Sequence, residues 1–477
     1  MLNNIEPKEV WKNFELLNAV PRASKKEAAV IAFMKAFGNN LNLSTYEDEV
    51  GNVIIKKPAS AGMENKPTIC LQSHLDMVHQ KNGDTVFDFA NEGIKMYIEN
   101  DWVKAKGTTL GADNGLGVAT IMAILESDSI VHPPLEALFT IDEETGMTGA
   151  LALKGGLLDA KYMLNLDTED DDELTIGCAG GIDVTGIGEY EIVAAAENST
   201  TYKISLTGLT GGHSGVEIQK GLANANKLMN RLLWNLNKNI QIVSIDGGSL
   251  RNAIPRESIA VVNVNDETVF AKTISDYFAI YKSEYATLDA NLLLKAEKTD
   301  AVKNGMNEKF QEQLLNVIYN IPNGIYRMDS NIEGLVQTSN NLARVVVADG
   351  KYEIRCLTRS SVDTEKMDLA NMIQAAFNLL GGTTNFGGTY PGWAPMPDSD
   401  LVKLMVAKYK ELHNNEMPKV NAIHAGLECG ILGTNYVDMQ MISFGPTIKG
   451  AHSPDERACI SSSQKFWNYL LEVLKSF

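Results

Sequence analysis

Three apolar, strand-like runs early in the chain each end beside a side chain able to bind a metal or move a proton. TICLQS is followed by His74 and Asp76, LEALFTI by Glu143 and Glu144, and KYMLNL by Asp167. The pattern constrains the fold strongly, because ligands of open α/β sheets bind beyond the carboxyl ends of the strands. A fourth run, NVIIKK, precedes them, and helical stretches lie among all four. In SKKEAAVIAFMKAFGNN the apolar positions recur every three or four residues, as on one helix face. VWKNFELLNAV shares that spacing, and GVATIMAILES, behind a Gly-rich loop, suits a crossover helix. Alternation of this kind implies an α/β domain with a mostly parallel sheet and helices on both faces.

From about residue 188 the rhythm changes. YKISLTGL, IQIVSIDGG and SIAVVNVN alternate with period two, as half-buried antiparallel strands do. Helical stretches sit among them, and a similar helix–strand series recurs from NEKFQEQLLNVIYNI to DTEKMDLANMIQAAFNLL. This is the pattern of an inserted α+β domain built of two similar halves, without a residue-level repeat. NFGGTYPGWAPMPDSD, rich in Gly and Pro, marks the return, and the last segment adds a strand, a loop and a long amphipathic helix. The expected organisation is therefore a catalytic domain over 1–187 and 391–477, split by an α+β lid or dimerisation domain over 188–390. At 477 residues the chain is also too long for one ordinary core. SPDE, after His452, reads as a capping box for the final helix, with Ser453 at the cap, Pro454 in the first turn and Glu456 three residues after the cap.

Charge narrows the partners. With 42 Lys+Arg against 60 Asp+Glu the net charge is −18, which disfavours nucleic acid and anionic membranes. The polar start, MLNNIEPKEVWKNF, lacks the basic and apolar regions of a signal peptide, and no apolar run approaches a membrane span. Five scattered cysteines, an odd number with no CxxC, predict reduced thiols in a cytoplasmic protein.

Asp113, in GADNGLG, sits where the crossover helix begins, and His452 follows the strand MQMISFG and its loop. Any one of these side chains is commonly just a polar strand end; five after successive buried strands form a site. Nitrogen and oxygen donors without thiolates suit zinc, manganese or cobalt. Glu143 and Glu144 are neighbours, and neighbours in extended chain point to opposite sides. One can hold a metal while the other faces a substrate cavity as general base. The rest of the acidic stretch DTEDDDE, beyond Asp167, reads as a solvated loop.

SHLDMV, GADNGLG, DEETGMTGA, NLDTED and GAHSPDE, in this order across the chain, resemble the metal-site motifs of the co-catalytic zinc peptidases that include carboxypeptidase G, aminoacylase and carnosinase. LTGGHSGVEI, RNAIP, RSSVD and HAGLECG resemble those of its Xaa-His and non-specific dipeptidase subgroup. The resemblance implies two divalent ions per subunit, with Asp113 bridging them, His74 and Asp167 completing one, and Glu144 and His452 completing the other. It makes Asp76 the residue that holds the His74 ring and Glu143 the base, and it implies a cis peptide at Asp113–Asn114. Dipeptide hydrolysis by a metal-activated water follows, in a cytoplasmic homodimer. His213, in GGHSG, is the implied oxyanion donor, acting within the chain or across a dimer after the two domains close. Arg355 could grip the substrate carboxylate or face solvent, Asn252 could bind carboxylate or oxyanion, and Glu428 could pair with the substrate amine or merely sit at a helix start. An N-acyl-amino-acid amidohydrolase and a non-catalytic peptide-binding protein of the same fold remain as alternatives.

Overall fold

The computed structural model describes residues 2–477, which fall into two compact units. The first comprises residues 1–177, 393–422 and 427–477, and the second 178–392 and 423–426. The second begins at Cys178, ahead of the expected position 188, because the strand Gly180–Glu189 pairs along its whole length with Lys351–Ser360 of that unit.

An eight-stranded sheet organises the first unit. Its order is Ser44–Glu47, Val53–Lys57, Leu135–Thr140, Ile69–His74, Tyr162–Asn165, Gln440–Ser443, Glu173–Cys178 and Lys419–Ile423. Four adjacent strands, from Leu135–Thr140 to Gln440–Ser443, run parallel, and the outer ones add antiparallel edges. Ile69–His74 and Leu135–Thr140 are buried at every position, as strands covered on both faces must be. Between them runs the helix Ala112–Glu126, which is buried around most of its circumference. It lies tight against the strand end because Gly117 has no side chain: a Cβ there would fall 2.5 Å from Ser73 Oγ and 2.7 Å from the Leu166 carbonyl. The pairing puts His74 level with Thr140, and Asn165 level with both Gln72 and Ser443. All four parallel strands thus finish at one edge.

Three expectations for this unit need correction. Glu143 and Glu144 do not lie in extended chain: they open the helical turn Glu143–Gly146, where neighbours are about 100° apart and not on opposite sides. The SPDE segment does not cap the last helix: residues Arg457–Cys459 form a short strand, and the helix Ile460–Lys475 starts after Cys459. Glu456 points instead at the backbone of residues 110–113. The acidic stretch after Asp167 is paired, not merely solvated. Asp170 meets Lys449 at 2.6 Å, Asp171 meets Lys465 at 2.9 Å, and Asp172 meets Lys419 at 2.9 Å.

In the second unit one continuous antiparallel sheet runs Leu293–Lys298, Thr200–Thr207, Ser258–Val264, Ile240–Gly248, Val336–Ala348, Lys351–Ser360, Gly180–Glu189 and Thr383–Tyr390. Gly324–Met328 flanks the long strand Val336–Ala348. Each half of the sheet is built strand–helix–strand–strand–helix–strand, and the halves join where Ile245 pairs with Val347. The helices Ala225–Leu236, Glu267–Glu284, Glu308–Asn320 and Asp363–Asn378 cover a core that includes Leu232, Ile242, Leu314 and Ile373. No disulfide joins any of the five cysteines, and among the described residues no helix is long and apolar enough to cross a membrane.

Candidate active site

Past the parallel strand ends the first unit gathers His74, Asp113, Glu144, Asp167 and His452. Asp113 lies at the centre. Its Oδ1 is 3.2 Å from His74 Nε2, and its Oδ2 is 3.1 Å from His452 Nε2. One carboxylate is therefore shared by two imidazoles, one oxygen to each. Asp167 Oδ1 stands 3.5 Å from His74 Nε2, and Glu144 Oε2 stands 2.9 Å from His452 Nε2. The five side chains thus divide into two sets around Asp113. Local backbone makes this possible: Gly111 is left-handed at φ +70°, Asp113 is extended within the helix start, and the Asp113–Asn114 peptide is cis. His452 itself takes a left-handed φ of 61° in the loop that brings it back.

Asp76 underpins the set. Its Oδ1 lies 3.4 Å from His74 Nδ1 and accepts the Glu143 amide at 3.0 Å, while Oδ2 accepts the Glu144 amide at 3.3 Å. His74 Nδ1 is closer still to the Asp76 main-chain carbonyl, at 3.1 Å, so Asp76 orients the ring through both backbone and carboxylate, and its carboxylate also holds the turn that carries the two glutamates. Burial alone would push its carboxyl up, but the His74 contacts hold it at about 2. The His74 ring shows the converse: burial lowers it, yet Asp167, Asp113 and Asp76 together raise it well above its ordinary value. Hydrogen bonds to Asp113 and Glu144 lift His452 to about 11. Asp167, buried among other carboxylates, is raised to about 6. Glu143 is also pushed up, chiefly by burial and by the charges of Asp167, Glu428 and Glu144.

These groups fit a divalent cation. His74, Asp113 and Glu144 offer ligand atoms within 4.8 Å of one another. Glu144 Oε1 is buried with no hydrogen-bond partner, an expensive state for a carboxylate oxygen unless a cation takes it up. The donors are imidazole nitrogens and carboxylate oxygens, which suit zinc, manganese or cobalt.

The remaining sequence candidates fall elsewhere. Glu428, 1% exposed, accepts from Gln72 Nε2 and Thr140 Oγ1, both at 2.7 Å, and burial raises it to about 7. In the second unit, His213 Nδ1 accepts the Gly215 and Val216 amides at 3.2 Å. The proton must then sit on Nε2, which is left as a donor. Burial and the charge of Arg359 lower its pKa, so the ring is neutral. The Asn252 carbonyl accepts the Ser214 amide at 2.8 Å, and its side chain is exposed. Arg355 is ion-paired with Glu353 on its own strand and partly exposed.

Two residues received no role in the sequence reading, although Arg359 opens RSSVD and His424 opens HAGLECG. Arg359 is 4% exposed, donates to Tyr390 Oη at 2.7 Å and keeps a buried Nε without a partner. His424 is 6% exposed, with Nε2 2.7 Å from Ser339 Oγ. Burial, Arg359 and His213 lower its pKa to about 3. Arg359, His213 and His424 thus form one cluster, whose members lie in three separate motifs that the sequence alone did not bring together.

Comparison with known proteins bears on this geometry. Residues 70–476 match the model of peptidase family M20/M25/M40. The chain is 40% identical to the cytosol non-specific dipeptidase of Escherichia coli over 99% of its own length and 98% of that protein's. It superposes on the crystal structure of aminoacylhistidine dipeptidase from Vibrio alginolyticus with a TM-score of 0.95 and 38% identity, covering 100% of this chain and 98% of that one. The aminopeptidase PepT of Bacillus cereus shares the fold at a TM-score of 0.57 and 15% identity, over 99% of this chain and 98% of that one.

Proposed function

The chain belongs to peptidase family M20/M25/M40, a family of metal-dependent peptidases, and on that premise we propose that it hydrolyses dipeptides, Xaa-His dipeptides among them. The observation that carries the site assignment is the Asp113 carboxylate, which gives one oxygen to each of two imidazoles. In this reading Asp113 would serve both of two divalent ions, zinc by preference. His74 and Asp167 would complete one set of ligands, Glu144 and His452 the other. When bound, such a pair would supply an acidified water and Lewis-acid contact for the scissile carbonyl.

Glu143 accepts the proton of the attacking water and returns it to the leaving amine nitrogen. Burial raises its pKa, the direction that favours holding the proton between the two transfers. Asp76 fixes the His74 ring and, through two amides, the turn that carries Glu143. His213 offers Nε2–H to the developing oxyanion, a role that needs the proton on Nε2, where the two amides on Nδ1 keep it. Arg359, with its unpartnered buried Nε, is better suited than Arg355 to receive the dipeptide's carboxylate. Glu428 is buried behind the strand ends and keeps Oε1 without a hydrogen-bond partner, which leaves it an acceptor for the substrate amine. The enzyme is proposed to work in the cytoplasm as a homodimer.

The test loads the protein with zinc or manganese and assays carnosine, other Xaa-His dipeptides, unrelated dipeptides and N-acyl amino acids. Turnover of dipeptides with free amines, lost on chelation, is expected. Cleavage confined to N-acyl amino acids would replace the proposal with an amidohydrolase, and metal binding without any hydrolysis would leave a binding protein.

A further inference from the structure

Arg22 and Glu456 have no part in the chemistry above, yet both are buried against it. Arg22 lies between the helices Lys8–Asn18 and Ala28–Asn40 and is 1% exposed. Its hydrogen bonds go to neutral oxygens. Nη1 donates to the carbonyls of Leu75 at 3.1 Å and Asp76 at 3.2 Å; Nη2 donates to the carbonyl of Gly111 at 2.5 Å and to Asn18 Oδ1 at 3.0 Å. Glu456, 2% exposed, receives four consecutive amides. Oε2 takes Leu110 at 2.7 Å and Gly111 at 2.9 Å, and Oε1 takes Ala112 at 2.7 Å and Asp113 at 3.2 Å.

The turn 110–113 is thus gripped on its amide side by a carboxylate and on its carbonyl side by a guanidinium. Gly111 sits between the two, where a Cβ would fall 2.4 Å from Arg22 Nη2. The same guanidinium holds the backbone of residues 75 and 76, so one side chain sets the spacing between the Asp113 turn and the His74 strand end. A planar fork with fixed donor directions can do this; an ammonium cannot. Among the surrounding carboxylates Glu456 does most to compensate the charge of the buried Arg22.

We propose that Arg22 and Glu456 are positioning residues for the metal pair: together they clamp the 110–113 turn so that Asp113 presents one oxygen to each ion. This rests on the assignment of Asp113 as the bridging ligand. Positioning and plain electrostatics predict opposite signs for Arg22. Its positive charge lies near Asp113 and Glu144. Removing that charge would by Coulomb attraction alone make the carboxylates hold cations more tightly. Loss of the clamp must loosen them.

The experiment titrates zinc against a chelator in the full-length wild-type, Arg22→Ala, Arg22→Lys and Glu456→Gln proteins. Absorption of the cobalt-loaded forms is recorded alongside, with thermal melting of the metal-free forms. Expected are cooperative melting, metal affinity lowered about 10–100-fold, the usual range for removing a group that orients ligands, and an altered cobalt spectrum. Arg22→Lys should share the loss although it keeps the charge. Wild-type or tighter affinity with an unchanged spectrum in Arg22→Ala overturns the proposal. Should that variant fail to fold, wild-type behaviour of Arg22→Lys and Glu456→Gln does so instead. If Asp113→Ala keeps both ions, the bridging assignment itself is wrong, whatever the clamp variants show.

Discussion

Two clusters of acidic side chains lie close together in the first unit, and they differ in one respect. Glu27, Asp76 and Asp142 bring three carboxylate oxygens within 4.8 Å of one another, as His74, Asp113 and Glu144 do one imidazole nitrogen and two carboxylate oxygens. In the Glu27 cluster the oxygens are met by protein donors. Glu27 Oε1 takes the amides of Lys25 at 2.8 Å and Asp142 at 3.1 Å, Asp76 takes two amides, and Asp142 takes the Thr145 and Thr148 hydroxyls. In the Asp113 cluster Glu144 keeps a buried oxygen with no partner, and two imidazoles are held against carboxylates. Density of acid is alike in both; unmet valence is not. The first cluster is a frame that fixes backbone, and the second is a socket.

The comparison breaks most sharply at Asp113. Asp113→Ala should lose both ions and reduce dipeptide hydrolysis to background, because one carboxylate serves both sets. Metal analysis of the dialysed protein checks this, and two undiminished equivalents would refute it.

Glu143 and Glu144 come next, and they should fail differently. Glu143→Gln is expected to keep its metal while turnover falls about 10²–10⁴-fold, since a general base contributes that much. KM should change little, and added metal should not rescue it. Glu144→Gln should lose one ion and regain part of its activity in excess zinc or manganese. The reverse pair of results would exchange the two roles.

Asp76 belongs to the frame but touches the socket, so its effect should be intermediate. Asp76→Asn keeps shape and removes the charge facing His74 Nδ1. A fall in metal affinity of about 10–100-fold, read by chelator competition, is expected. Glu27 should give the smallest functional change. Glu27→Ala leaves the Asp142 and Lys25 amides without their acceptor, at about 1–3 kcal/mol of stability, with metal stoichiometry unaltered. Loss of metal in this variant, beyond what its melting explains, would make the frame a second socket.

What the sequence disclosed follows the same division. His74, Glu143, Glu144 and Asp167 were legible because each directly follows a buried apolar run, and the parallel sheet was legible from the alternation that separates them. The frame was not. Glu456 looked like a local cap, since SPDE has that form, but it reaches amides of a segment far earlier in the chain. Arg22 and Glu27 lie in an undistinguished stretch, PRASKKE, whose importance comes only from what folds onto it. The acidic run after Asp167 looked solvated because its lysine partners, at 419, 449 and 465, come from the last part of the chain. Arg355 and Arg359 share a strand, and only burial separates the ion-paired one from the one that faces His213 and His424. Motif spacing records neighbours along the chain; contacts between remote side chains and backbone leave no such mark.

The place of the strand Gln440–Ser443 has a consequence for synthesis. It is the last strand of the large sheet to be made, yet it lies in the interior, between Tyr162–Asn165 and Glu173–Cys178. While a ribosome is still producing the second unit, the nascent first unit holds a gap where backbone groups have no neighbour. Domains emerging first ordinarily fold first; here the earlier segment must wait for the later one. On the proposed assignment His452 arrives later still, so the metal centre would be completed only after that strand has been made.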